Sequence, residues 1–359
     1  MNKPCQTPHC GYHWDGSNQR FFEGWYYRVT LPEWGQTFGF MYSIDDPVGG
    51  KSHSGGAAQI LGANDQYLCR TFPDVKTFWA SYHQLGLGHW GKTKLSLKPQ
   101  LLDPVIFEQK IEEGYQANAI LNQGYICDRA TKNYCRWCYE IEPIDGWGNR
   151  NFSQKPTAGW LSFLPIFDPG WQVLMAHGYA NGWIDWNGKI YDFTRAPAYS
   201  EKNWGRSFPI KWFWINCNSF LEESELTLTA VGGIREVFGW TESVGLIGLH
   251  YQGKFYQFKR ENSQLSWQIK PWGRWEMEGK NADFTIKIVG TTDQAGNYVR
   301  VPTAEGLQFN CRDTMQGNLS LELRQTQGQL ILKAVSHLGG LEVGGISWDN
   351  PWLYKTSDV

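Results

Sequence analysis

The sequence predicts an all-β protein made of two tandem antiparallel barrels, with one or two short helices. Three observations carry this. Short aromatic or β-branched runs recur along the whole chain, broken by Gly, Pro, Asn and Asp, which is the texture of strands and turns. The 359 residues include 20 tryptophans, most of them inside short motifs, and such rings need broad buried faces. A weak internal echo divides the chain. Glu23-Gly24-Trp25 leads after a turn into Phe38–Tyr42, and Glu201-Lys202-Asn203-Trp204 leads after Phe208-Pro209 into Trp212-Phe213-Trp214. The Pro- and Gly-rich stretch 156–170 is the natural boundary, giving barrels at 1–165 and 166–359. A single large sandwich is the alternative.

In the first half the expected strands are Val29–Leu31, Phe38–Ile44, Ala57–Leu61, Tyr115–Leu121 and Tyr134–Ile141. The second half continues with Gln172–Ala176, Gly182–Trp186, Lys189–Phe193, Trp212–Asn216, Leu226–Ala230, Leu246–His250 and Lys254–Phe258. The tail adds Phe284–Val289, Leu319–Leu323, Gln329–Ala334 and Leu341–Val343. Trp186-Asn187-Gly188-Lys189 and Tyr251-Gln252-Gly253-Lys254 read as hairpin turns. One helix is expected over Val105–Ile111, capped by Asp103 with Pro104 in its first turn. A second is expected within Phe72–Gln84.

Composition excludes several function classes. The formal net charge of -2 offers no basic field for nucleic acid. Residues 1–11 contain no apolar core of a secretory signal, and no run of about 18 apolar residues could span a bilayer. Eight scattered cysteines read as reduced thiols. Cys135 and Cys138 have CxxC spacing but lie on an expected strand, where residues three apart face opposite ways, so no metal site is expected there. The tryptophans either fill a core or line a deep cavity with π faces for an apolar or cationic guest. The whole set favours the cavity.

The motifs, taken in order, resemble the tocopherol cyclase family. They are FFEGWYY at Phe21–Tyr27, FMYSIDD at Phe40–Asp46, QILGANDQYLC at Gln59–Cys69, TAGW at Thr157–Trp160 and YSEKNWG at Tyr199–Gly205. FPIKWFWINCN at Phe208–Asn218, CRD at Cys311–Asp313 and LEVGG at Leu341–Gly345 complete them. The chain begins close to the first motif, which resembles the bacterial-type members. The wider superfamily includes carotenoid hydratases and fungal Diels–Alderases, so the resemblance implies lipocalin-like barrels. The tyrosine and aspartate that such hydratases carry have no match in Thr227–Gly233, which argues against hydration.

The resemblance implies cofactor-free cyclisation of a phytylated hydroquinone. An acid protonates the tail's first alkene, and the phenol oxygen closes on the tertiary cation to give a γ- or δ-tocopherol-type chromanol. The acid must stay protonated near neutral pH, which calls for a carboxyl in an apolar pocket. The cation needs π faces and exclusion of water, and the tail must be held folded. Glu201 is the first candidate acid; the alternative is that it pairs with a cation and only orders its strand. Strand parity sends Glu201 and Asn203 one way and Lys202 and Trp204 the other. In the related hydratases the positions matching Lys202 and Trp204 line the cavity, so the resemblance lets Lys202 orient the phenol. Asp45, Asp46, Glu23 and Asp313 are reserve acids. His250 is a candidate base or a core residue. Trp212, Trp214 and Asn216 share one strand face and are expected to look inward, Asn216 toward a quinol hydroxyl. In the first barrel Trp25 and Tyr42 are the candidates for substrate contact.

No metal or redox cofactor is expected. The substrate's tail implies peripheral contact with a membrane or lipid droplet, on the cytoplasmic side of a thylakoid-type membrane. Two other readings compete: a non-catalytic prenylquinone-binding lipocalin, which needs the cavity but no acid, and a sugar-binding β protein, which needs exposed tryptophans.

Overall fold

The computed structural model describes residues 7–93, 98–163, 168–237, 240–346 and 348–356. Two large curled antiparallel sheets of eleven strands each make up the protein. The first contains β1 (Phe22–Leu31), β2 (Gln36–Asp45), β3 (Gly55–Leu61), β4 (Tyr67–Phe72), β5 (Phe78–Ala80), β6 (Gly86–Thr93), β7 (Ile111–Asn118), β8 (Leu121–Cys127), β9 (Tyr134–Asp145), β10 (Gly170–Trp186) and β11 (Lys189–Gly205). Its spatial order is β4-β3-β2-β1-β11-β10-β9-β8-β7-β6-β5. The second contains β12 (Lys211–Cys217), β13 (Thr227–Val237), β14 (Trp240–Tyr251), β15 (Lys254–Lys259), β16 (Gln264–Ile269), β17 (Arg274–Lys280), β18 (Phe284–Thr291), β19 (Asn297–Thr303), β20 (Gly306–Gln325), β21 (Leu330–Gly345) and β22 (Trp352–Lys355). Its order is β15-β14-β13-β12-β21-β20-β18-β17-β16-β22, with β19 paired to β20.

The sheets divide between Gly205 and Lys211, later than the boundary expected near residue 165. The reason is a long-range ladder. β11 returns to pair along β1 from Phe22↔Gly205 to Val29↔Ala198, and β10 joins β9 to β11, so residues 170–205 complete the first sheet. Local composition at 156–170 marks a loop but cannot tell which sheet the following strands join.

Alternation is clean where one strand face meets water. On β9, Cys135, Trp137, Tyr139 and Ile141 are buried while Arg136 and Glu140 are exposed. Alternation vanishes on β1 and β12, which are buried on both faces. Trp25, Tyr27 and Val29 enter the first core, while Tyr26 packs edge-on against Trp214 of the second sheet at 5.6 Å between centroids. On the Tyr26 face of β1, buried Arg28 donates to the Asn216 and Leu338 carbonyls, and Thr30 donates to Asn218 Oδ1 at 2.7 Å. These bonds satisfy polar groups that would be costly to bury alone and pin one sheet on the other.

Both expected hairpins form. Trp186 pairs with Lys189 around Asn187 (φ 54°) and Gly188 (φ 88°), and Tyr251 pairs with Lys254 around Gln252 (φ 50°) and Gly253 (φ 75°), the conformation of a type I′ turn. Helix α1 (Pro104–Lys110) is where expected, and Asp103 accepts from the Val105 and Ile106 N–H groups. Phe72–Gln84 is not a helix. Asp74 caps a single 3₁₀ turn over Val75–Thr77, after which Phe78–Ala80 pairs with β6. The expected strand Tyr115–Leu121 is two strands, because the Asn118 side chain accepts from the Ile120 and Leu121 N–H groups and closes a turn. No disulfide joins the seven described cysteines, and no metal-ligand cluster occurs among the described residues.

Candidate active site

A cavity of about 960 Å³ lies between the two sheets, not inside either barrel. Two rows of paired residues form facing walls. On the first sheet the row runs Glu201–Tyr26–Met41–Gln59 across β11, β1, β2 and β3. On the second it runs Asp313–Glu342–Trp214–Val231–Leu246 across β20, β21, β12, β13 and β14. Residues opposite one another in a ladder share a face, so each row presents one set of side chains inward. Tyr199 packs 6.3 Å from Trp214 and helps to join the walls. Tyr26, Trp171, Trp204, Trp212 and Trp214 give the walls their aromatic faces, and the SEKNWG and KWFW motifs on β11 and β12 supply Trp204, Trp212 and Trp214.

Glu201 lies in this cavity. The Tyr199 hydroxyl donates to its Oε2 at 2.5 Å, and no cation pairs with it among the described residues. Burial pushes its carboxyl up to about 7; hydrogen bonds from Tyr199 and Trp171 hold it back, and the Glu342 charge raises it further. A neutral-pH acid is thereby set in an aromatic wall. Asp313 and Glu342 stand opposite each other on β20 and β21 and also line the cavity. Burial and mutual repulsion raise Asp313 well above the usual carboxylate range, and burial raises Glu342. The Trp212 indole donates to Glu342 Oε1. Asp313 Oδ1 is buried without a hydrogen-bond partner among the described residues. Gly344 of the LEVGG motif seats the Trp212 ring, since a Cβ there would lie 2.0 Å from it.

Strand parity separates Glu201 from Lys202 as expected, but the cavity is on the Glu201 side. The hydratase-like placement of Lys202 therefore does not hold. Lys202 turns into the other face of β11, pairs with Glu23 and donates to the Gly11 carbonyl at 2.6 Å. His13 joins the cluster at 3.2 Å from Lys202. Burial pushes Glu23 up, yet Lys202 and His13 outweigh it and the net shift is downward. The cluster is an internal ion pair, and Glu23 is not an available acid. Asn203 and Trp204 do border the cavity, Trp204 stacked at 3.9 Å on His13.

Trp212 and Trp214 line the cavity as expected. Asn216, two residues further on the same face, does not. Its amide donates to the Leu228 carbonyl and Thr229 Oγ1 where the sheets close together. Trp25 and Tyr42 border the cavity, but their rings belong to the first core, where Tyr42 donates to Asn122 Oδ1 at 2.6 Å. Asp45 is outside the cavity and pairs with Arg20 at 2.6 Å; burial still raises it to about 6. Asp46 binds Lys51 and His53. His250 is a core histidine: it hydrogen-bonds the Gly148 carbonyl at 2.9 Å, stacks on Phe255, and burial lowers it to about 4. Sequence reasoning missed Glu342, Tyr26, Trp171 and Tyr199. Glu342 carried one signal, a lone carboxyl between Leu341 and Val343 on a core strand.

Fold and cavity together define a lipocalin-like all-β protein with an acid-bearing aromatic chamber between two sheets. The chain belongs to the tocopherol cyclase-like family, whose model matches residues 19–345. It is 42% identical to the probable chloroplastic tocopherol cyclase of Oryza sativa subsp. japonica over 99% of this chain and 82% of that protein. It is 43% identical to the chloroplastic tocopherol cyclase of Zea mays over 99% of this chain and 81% of that one. Among solved structures it resembles CghA, with a TM-score of 0.52 and 8% identity, covering 92% of this chain and 89% of that one. Kievitone hydratase from Nectria haematococca aligns with a TM-score of 0.47 and 8% identity over 96% and 94% of the two chains.

Proposed function

We propose that this member of the family is itself a tocopherol cyclase, an intramolecular lyase of the isomerase class that closes the chromanol ring of a phytylated hydroquinone without a cofactor. Glu201 delivers the proton to the less substituted alkene carbon. The tertiary cation forms against the faces of Trp214, Trp212 and Tyr26, which stabilise positive charge and keep water away. The phenol oxygen then attacks, helped by the folded pose that the narrow chamber imposes on the tail. The observation that carries this is a carboxyl near pKa 7 with no cation partner among the described residues, set in an aromatic cavity large enough for a prenylated ring.

The rim supports delivery from a lipid surface. The exposed lining residues Phe163 (62%) and Arg260 mark the mouth, and Trp160 beside it is 71% exposed. Among the described residues no helix is long and apolar enough to cross a bilayer. The exposed rings at this rim favour peripheral contact, on the cytoplasmic side of a thylakoid-type membrane.

The test is incubation with a phytyl dimethylhydroquinone in detergent and heavy water, read by mass spectrometry. A chromanol with one deuterium on the new ring carbon is expected. Unchanged quinol, bound tightly by tryptophan quenching, would leave a carrier and overturn the cyclase reading.

A further inference from the structure

We propose that Asp313 and Glu342 act together as the base of the reaction, taking the phenol proton while Glu201 on the facing wall protonates the alkene. The inference rests on the cyclase reading and adds the second half of its proton balance. The two carboxyls are register partners on adjacent strands, and both open into the same cavity. Side by side in an apolar wall they cannot both ionise, so the form of the pair that can act as a base is the monoanion, one proton and one negative charge shared between them. Glu342 is the better home for the charge. It accepts from the Trp212 indole, and the Cys311 thiol also hydrogen-bonds to it. Asp313 keeps one oxygen, Oδ1, with no partner among the described residues.

The charged and titratable groups facing the pair come from three directions. Arg28 of β1 favours its anion, whereas Asp65 ahead of β4 opposes it; Asp65 is itself held by Thr314 Oγ1 and the Met315 N–H. Tyr26 and Glu201 belong to the opposite wall. The Tyr199 hydroxyl donates to Glu201 Oε2, and the donors around the carboxyl are neutral tyrosine and tryptophan groups rather than cations. One wall is thus arranged to hold a neutral acid and the other a shared monoanion, with the guest between them.

The bonds balance. The Glu201 O–H bond breaks and its proton forms a C–H bond at the less substituted alkene carbon. A phenol oxygen lone pair forms the C–O bond to the tertiary carbon, and the phenol O–H bond breaks toward the pair. The products are chromanol, a Glu201 carboxylate and a doubly protonated pair. Proton return from the pair to Glu201 restores the starting state, so no external oxidant or reductant is consumed.

The test compares Glu342→Gln, Asp313→Asn and the double variant with the unaltered protein, on the natural quinol and on a ring-fluorinated quinol whose phenol is more acidic. The amides keep the shape and the Trp212 contact. Expected is a fall in kcat of about 100-fold or more with KM nearly unchanged. The fluorinated substrate should recover most of that loss, because an acidic phenol needs less help in losing its proton. Equal losses on both substrates, or a change only in melting temperature, would overturn the base assignment. Should the unaltered protein turn over no quinol at all, the cyclase reading fails instead. Turnover that depends on Glu201 but not on the pair defeats this inference alone.

Discussion

On β11 the side chains of Glu201 and Lys202 leave opposite faces of one strand, and both are buried. Lys202 meets Glu23, His13 and the Gly11 carbonyl; burial still draws its pKa down, and the Glu23 carboxylate opposes that shift. Glu201 meets a tyrosine hydroxyl and aromatic walls, and its burial is expressed as a raised pKa. A buried charge that is fully partnered holds structure together. A buried carboxyl without a cation stays neutral and becomes available for chemistry.

The comparison breaks most sharply at Glu201. Glu201→Gln should lower kcat by about 10²- to 10⁴-fold, the usual worth of a general acid, with KM little changed. The melting temperature should hold, because the amide still accepts from Tyr199. Steady-state turnover and a thermal melt on the same preparation check both. A large stability loss with kcat preserved would make Glu201 a structural residue instead.

Lys202 should answer in the opposite way. Lys202→Met leaves Glu23 buried without its main partner, which costs about 3–5 kcal/mol of stability. The protein that remains folded should keep most of its kcat, since Lys202 faces away from the cavity. Denaturant titration together with turnover per folded molecule measures this. Glu23→Gln added to Lys202→Met should restore part of the loss, as an uncharged amide is cheaper to bury than a lone carboxylate.

The fold was legible in the sequence to the extent that it is local. The Asn187-Gly188 turn, the Asp103 cap and the aromatic strands are each specified by neighbouring residues. The assignment of residues 170–205 to the first sheet was not legible, because it rests on the pairing of β11 with β1, about 180 positions apart in sequence. The site divides along the same line. Trp212, Trp214 and Glu201 stand in motifs and line the cavity. Asn216 follows the same parity but lies where the sheets have closed, which alternation cannot reveal. Lys202 was assigned from the hydratase resemblance, and parity alone could not say which face of β11 is the cavity. Glu342 becomes visible only when β12, β21 and β20 are laid side by side.

pH separates the two faces again. The folded carboxyl of Glu201 sits near 7, above its ordinary value of 4.5, so the acid form is present below about 7 and is lost above it. Turnover should fall about tenfold per pH unit beyond that point. Linkage gives the matching stability effect. Between about 4.5 and about 7 the native state holds a proton that the unfolded chain has released, so this group's contribution to stability declines as pH rises through that window. The raised values of Asp313 and Glu342 act with the same sign. Glu23, lowered by its partners, acts with the opposite sign: its contribution is lost as pH falls through its folded value. Glu201→Gln should therefore remove the alkaline limb of the rate profile and flatten part of the stability decline. An unchanged alkaline limb would assign the proton to another group.

The smallest expected effect lies at the rim, where neither buried chemistry nor buried structure is touched. Trp160 and Phe163 share one 3₁₀ turn beside the mouth and present their rings to solvent, Phe163 also stacking on His9 at 4.4 Å. Scattered surface apolar residues need no explanation, but two large rings at the entrance of a cavity for a lipid-soluble guest are suited to lie in a headgroup layer. Trp160→Ser and Phe163→Ser should each raise the apparent KM several-fold when the quinol is presented in vesicles. In detergent, where no bilayer has to be met, kcat and KM should change by less than about twofold. Equal effects in vesicles and detergent would place these rings in the cavity's own binding of the tail, and the contrast between wall and rim would have to be redrawn at Phe163.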